Sequence, residues 1–204
     1  MTFLEIISFA SPLFVIIIGL HQRFTLLWFY AATGLIVDNL GQYLRSIHVD
    51  QHWAGNIFIL AEFLFISFYY RKILFKSKLF FFLFIFSFSV FFIVNTLYNS
   101  VFILNMFGAG IFCLIYIIYG LLGFYKLLQH PVITPLNNQP FFWINMAFFL
   151  YASANCFLFL FGSYLKENDF KLLIGIWGSF FFCINILHYI LIGVGLFKTK
   201  KIGH

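Results

Sequence analysis

Two carboxylates, one imidazole and a set of carboxamides interrupt long apolar stretches of this chain. An ionised carboxylate in an apolar medium is costly unless it is paired, protonated or bound to a cation, so Asp38 and Glu62 are the first residues to explain. Two carboxyl groups brought close together share a proton or hold a cation between them, the chemistry of a proton-coupled or cation-binding site or of a pocket for an amine. Gln42, one turn beyond Asp38, and Asn155 supply neutral hydrogen-bonding groups to the same candidate site. Asn145, Asn185 and His188 form a second polar group, in which the imidazole is able to relay a proton or contact a ligand. Each has a structural alternative. Asp38 pairs with Arg45, Glu62 is a protonated helix-to-helix contact, and His188 is a satisfied interhelical hydrogen bond. His48-x-Asp50-x-His52 offers three further ligand types to a metal, since both imidazoles share one face in a strand and stand a turn apart in a helix.

The elements that must position these groups follow from composition. Of 204 residues, 63% are apolar and 9% charged, with a mean hydropathy of +1.01. Soluble domains carry about a quarter charged residues. Disorder, collagen, a coiled coil and a disulfide scaffold are excluded on the same grounds. What remains is an all-α membrane protein, and at about 20 apolar residues per span the chain reads as one domain of seven helices. The expected spans are Phe3–Leu20, Phe24–Leu44, Trp53–Tyr70, Leu79–Val94, Val101–Tyr125, Phe141–Ser163 and Leu172–Phe197. The break from Lys126 to Pro140 contains Pro131, Pro135 and Pro140 and cannot be helical throughout. The first segment has neither a positive start nor a small-residue cleavage site, so it reads as a retained helix.

Basic residues orient the bundle. Arg45, Lys166 and Lys171 fall on one side and the other nine Lys and Arg residues on the opposite side, which predicts the N-terminus outside and the C-terminus in the cytoplasm. The net charge of +6 is thus a topology signal and not a nucleic-acid surface. Cys113, Cys156 and Cys183 lie inside apolar runs and imply no disulfide framework. Counted from the outer ends of their spans, Asp38 lies about 9 Å deep, Asn155 about 12 Å and Glu62 about 13 Å.

Within a bilayer, small and polar residues mark the helix faces that meet other helices. Such stripes run through helix two (Ala31, Gly34, Asp38, Gly41, Arg45), helix three (Asn56, Ile59, Glu62, Ile66), helix six (Asn145, Phe148, Ala152, Asn155) and helix seven (Gly178, Phe181, Asn185, His188). Phe80 to Phe92 offers only Ser87 and Ser89, so helix four is expected at the periphery, facing lipid. A faint repeat superposes Tyr30-Ala31 on Tyr151-Ala152 and Gly41-x-Tyr43-Leu44 on Gly162-x-Tyr164-Leu165. As a duplication it means two three-helix units joined by helix four, a plan that transporters with parallel repeats use.

The layout resembles the transporter–opsin–receptor superfamily. Asn56 with Glu62-Phe63-Leu64, and Phe142-Trp143-Ile144-Asn145 with Tyr151, resemble more closely the small uncharacterised bacterial seven-helix membrane proteins. That resemblance implies a seven-helix bundle in the bacterial cytoplasmic (inner) membrane. The chain departs from retinal proteins in having no lysine within 172–197, and from PQ-loop carriers in having no Pro-Gln pair. Haem is not expected, because His188 is the one histidine placed inside a helix with no second to pair it.

No His-Glu-x-x-His, Gly-x-Ser-x-Gly or phosphate-cradling glycine loop is present, so an enzyme is not expected. The leading expectation is a receptor or sensor with a small ligand or cation in an outward-opening cavity lined by Asp38, Gln42, Glu62 and Asn155. Its output would pass to a membrane signalling partner or a second copy of the chain. A small proton-coupled carrier using the same carboxylates, with His188 on the inner side, is the alternative, and a structural subunit of a membrane complex the third.

Overall fold

The computed structural model describes residues 3–21, 25–129 and 135–202. Arg23 and Pro131, used above for topology and loop assignment, lie outside the described residues. Among those described the chain is helical, with no strand: α1 (Phe3–His21), α2 (Thr25–Ser46), α3 (His52–Leu74), α4 (Lys78–Asn99), α5 (Met106–Gln129), α6 (Pro140–Asn168), α7 (Phe170–Ile176) and α8 (Phe182–Ile202). A π-helical turn, Trp177–Phe181, joins α7 to α8 without a break, so 170–202 forms one long helix carrying a local defect. A short 3₁₀ turn, Leu136–Asn138, leads into α6, whose first residue is Pro140, a position where the missing N–H costs nothing.

Among the described residues, five helices are long and apolar enough to cross a membrane: α1, α4, α5, α6 and the α7–α8 rod. α2 and α3 match them in length, at 22 and 23 residues, but carry Asp38, Asn39 and Gln42, and Asn56 and Glu62. Phe80, Phe86, Leu97, Ile118, Leu128 and many other large apolar side chains face outward, an arrangement that suits lipid and would be an aggregation surface in water.

Neighbours in the bundle run α1–α2–α3–α5–α6–α8, and α8 returns to α1, closing a ring. α4 stands outside this ring against α3 and α5. The core inside is mostly aromatic: Phe63 stacks on Phe112 at 4.1 Å between ring centroids, and Phe112 in turn lies 5.1 Å from Phe92.

The fifth helix starts later than its apolar run. Val101 to Asn105 form a turn instead of helix, because two carboxamides capture their backbone. Asn56 donates to the carbonyls of Val101 (3.1 Å) and Ile103 (2.9 Å) and accepts from the Asn105 N–H (2.8 Å). Asn105 then caps α5 by accepting from Gly108 N–H at 2.9 Å, and donates to Thr96 Oγ1 on α4 at 2.8 Å. This knot ties α3, α4 and α5 at one end of the bundle. At the other end Tyr70 donates to Asn145 Oδ1 at 2.5 Å, and Asn145 donates to the Gly120 carbonyl at 3.0 Å. Gly123 allows this, since a Cβ there would fall on the Asn145 Oδ1.

Candidate functional site

Between these two knots lies a third polar group, at the midpoint of α3. Glu62, Tyr30 of α2 and His188 of α8 are all buried inside the ring. The Tyr30 hydroxyl donates to Glu62 Oε1 at 2.9 Å and lies 2.9 Å from His188 Nε2. On its far side His188 Nδ1 is 3.1 Å from the Ala147 carbonyl of α6. Four helices therefore meet through one chain of hydrogen bonds. Aromatic walls hold its members in place: the Tyr151 ring is 4.6 Å from the imidazole, Phe148 5.3 Å, and Tyr30 itself stands edge-on to Phe148 at 5.8 Å. Gly34, one turn along α2 from Tyr30, lets α8 close in. A Cβ at that position would meet the Tyr189 hydroxyl at 2.5 Å.

Donor counting fixes what this group can do. A carbonyl oxygen only accepts, so the Ala147 contact places a proton on His188 Nδ1. A phenol has one proton to donate, and two acceptors compete for it. If Tyr30 donates to Glu62, Nε2 must carry a proton of its own, and the group is carboxylate, phenol and imidazolium. If Tyr30 donates to Nε2, Glu62 must be the protonated acid that donates to the phenol oxygen. Both states are neutral overall and both satisfy every hydrogen bond. They differ by the passage of one proton across the Tyr30 hydroxyl. Removing that proton altogether leaves a net charge and one unmade hydrogen bond in the core, both unfavourable. In either arrangement the three side chains can share one proton.

It is also one-ended. The Ala147 carbonyl has no proton to pass on, so the relay stops at His188 on the α6 side. A wire through the protein would need a partner able both to accept and to donate at each end.

The other expected site residues are placed as follows. Asp38 is partly exposed on α2, eight residues or about 12 Å of helix from Tyr30, and no hydrogen bond or ion pair joins it to Glu62 or to Arg45 among the described residues. Gln42, a turn further on, is likewise partly exposed. Asn155 is fully buried; its amide donates to the Tyr151 carbonyl of its own helix at 3.0 Å while its Oδ1 has no partner. Asn185 is separated from Asn145 and His188: it donates to Ser8 Oγ at 2.9 Å and fastens α8 to α1. Asn145 belongs to the knot with Tyr70. His48, Asp50 and His52 border a shallow depression with Arg45 and Gln51, where Asp50 accepts from the His52 N–H at 2.7 Å. Among the described residues no three His, Cys, Asp or Glu side chains converge as metal ligands.

Tyr30 is the member that stripe analysis passes over, because it stands one position from Ala31 and is itself neither small nor charged. The faint repeat does contain it. Its two tyrosines, Tyr30 and Tyr151, both lie against His188. Comparison with protein-family models, with curated proteins and with solved structures finds no match for the chain.

Proposed function

We propose that this chain is a seven-span membrane carrier that couples movement of a small solute to a proton, with Glu62, Tyr30 and His188 as the proton-holding group and no chemical step of its own. The observation that carries this reading is the Tyr30 hydroxyl poised at 2.9 Å from both Glu62 and His188. A one-ended proton store at mid-helix suits a carrier, which loads and unloads a coupling ion, better than a channel. Carriers with internal repeats hold their coupling ions near the bilayer midplane, where the two halves meet. Here the group joins helices of both proposed halves, and the adjoining rod carries a π-helical turn, a defect frequent at functional sites. α2 and α3 complete the seven spans. Their lengths of about 33 and 35 Å cover a hydrocarbon core of about 30 Å, and Asn56 and Glu62 of α3 are buried. The charge asymmetry orients the N-terminus outward.

Proteoliposomes holding a pH-sensitive dye test the reading. Challenge with methylammonium, acetate, amino acids and small sugars is expected to move protons for one solute class, and Glu62→Gln is expected to abolish the movement. A solute that stabilises the protein against heat yet moves neither itself nor protons would favour the receptor. A folded protein silent to the whole panel in both assays would favour the complex subunit.

A further inference from the structure

If Glu62 is the open end of the proton store, which rests on the reading above, something must deliver protons to it. Four buried side-chain oxygens have no partner among the described residues: Ser89 Oγ and Asn95 Oδ1 on the outlying α4, and, inside the ring, the Tyr116 hydroxyl of α5 and the Asn155 Oδ1 of α6. Tyr116 is 1% exposed and Asn155 0%. Native interiors rarely leave such groups unpaired, because each costs about 1–3 kcal/mol.

Their relative position follows from the glycine contacts between the two antiparallel helices. A Cβ at Gly110 would meet Leu160 at 2.5 Å, and one at Gly120 would meet Phe149 at 2.8 Å. That register sets Tyr116 level with the turn from Ala152 to Asn155. Tyr116 also lies within electrostatic reach of Glu62, as do Tyr151 and Cys113. The other titratable groups around the site are Tyr119 on α5, Cys156 on α6, Tyr189 on α8 and Asp38 on α2, and Asp38 lies within reach of Tyr151 and of Glu62.

The unmet valences suit a small occupant that both accepts and donates. Tyr116 has a proton to give and a lone pair to share, Asn155 Oδ1 only accepts, and Glu62 Oε2 is free of the Tyr30 bond. A water molecule accepts from Tyr116 and donates to Asn155 and to Glu62, giving it the two to four polar partners that a buried water requires. We propose that Tyr116 and Asn155 hold a buried water that is the proton entry to Glu62. A proton reaching this water forms an O–H bond to its oxygen while another of its O–H bonds breaks in favour of one to Glu62 Oε2. The water is regenerated and Glu62 gains the proton. Tyr116 and Asn155 are positioning residues in this step.

Time-resolved infrared absorption of the Glu62 carboxyl after a pH jump, in the full chain in nanodiscs, tests the assignment. Tyr116→Phe and Asn155→Leu are expected to slow proton exchange at Glu62 at least about tenfold, with the number of protons bound at equilibrium unchanged. Exchange at the wild-type rate in folded Tyr116→Phe protein overturns the entry route and leaves the proton store standing. A pH response that persists in Glu62→Gln overturns the store itself. A second measurement needs no variant to fold: in wild-type protein an O–H stretch that shifts in H₂¹⁸O should accompany the carboxyl band. A carboxyl transition with no water band shifting in H₂¹⁸O overturns the proposal.

Discussion

Tyr30 contributes a ring and a hydroxyl, and the two have separable effects. The ring packs against Phe148 and Phe65, at 5.8 and 6.4 Å between centroids. The hydroxyl is the hydrogen-bond partner of Glu62 Oε1 and of His188 Nε2. Tyr30→Phe keeps the ring and strands both partners, so it should lower stability by about 1–3 kcal/mol in reversible detergent unfolding and abolish proton-coupled flux. Asp38→Asn breaks no hydrogen bond or ion pair seen among the described residues and should change stability by less than about 0.5 kcal/mol in the same assay. A large loss for Asp38→Asn with none for Tyr30→Phe would reverse the assignment of the core carboxylate. The carboxylates were readable from sequence as residues needing a reason. Their partner was not, since a tyrosine in a chain with 11 Tyr and 34 Phe carries little information until a helix angle turns it inward.

At the level of elements, the helices are held in register by carboxamides at both ends and by glycines between. Asn145 joins α6 to Tyr70 of α3 and to α5, across a surface that Gly123 leaves open. Gly123→Ala sets a methyl group on the Asn145 oxygen and should cost about 1–3 kcal/mol; Asn145→Ala should add little to that loss in a double-mutant cycle, because both remove the same knot. Asn105→Ala, by contrast, removes a cap and the link to Thr96. It should speed hydrogen exchange in the 100–108 segment without altering proton exchange at Glu62. The late start of α5 illustrates what an apolar run cannot reveal. Val101 to Leu104 are apolar enough for a span, yet Asn56, 45 residues earlier in sequence than Val101, binds their carbonyls and keeps them out of the helix. Asn185 illustrates the same limit. Its spacing from His188 suggested a shared layer, whereas the closure of α8 onto α1 gave it Ser8.

For the whole molecule, the ring with α4 outside leaves broad apolar faces to lipid and gathers the polar groups into three layers. Orientation is directly measurable. In a variant without the native cysteines, single cysteines at His48 and at Lys76 should react with an impermeant maleimide from opposite sides in intact cells, His48→Cys from outside. Labelling of both from one side would break the seven-span reading. The sequence by itself determined that this is a helical membrane protein, with a helix-four segment poor in polar residues and carboxylates that require burial partners. Composition and charge placement act locally and along the chain, so they survive without any knowledge of packing. Only the tertiary structure decided which polar groups meet. Rotation of each helix about its axis is set by close contacts such as Gly34 against Tyr189, and that rotation brought Glu62 to His188 through Tyr30.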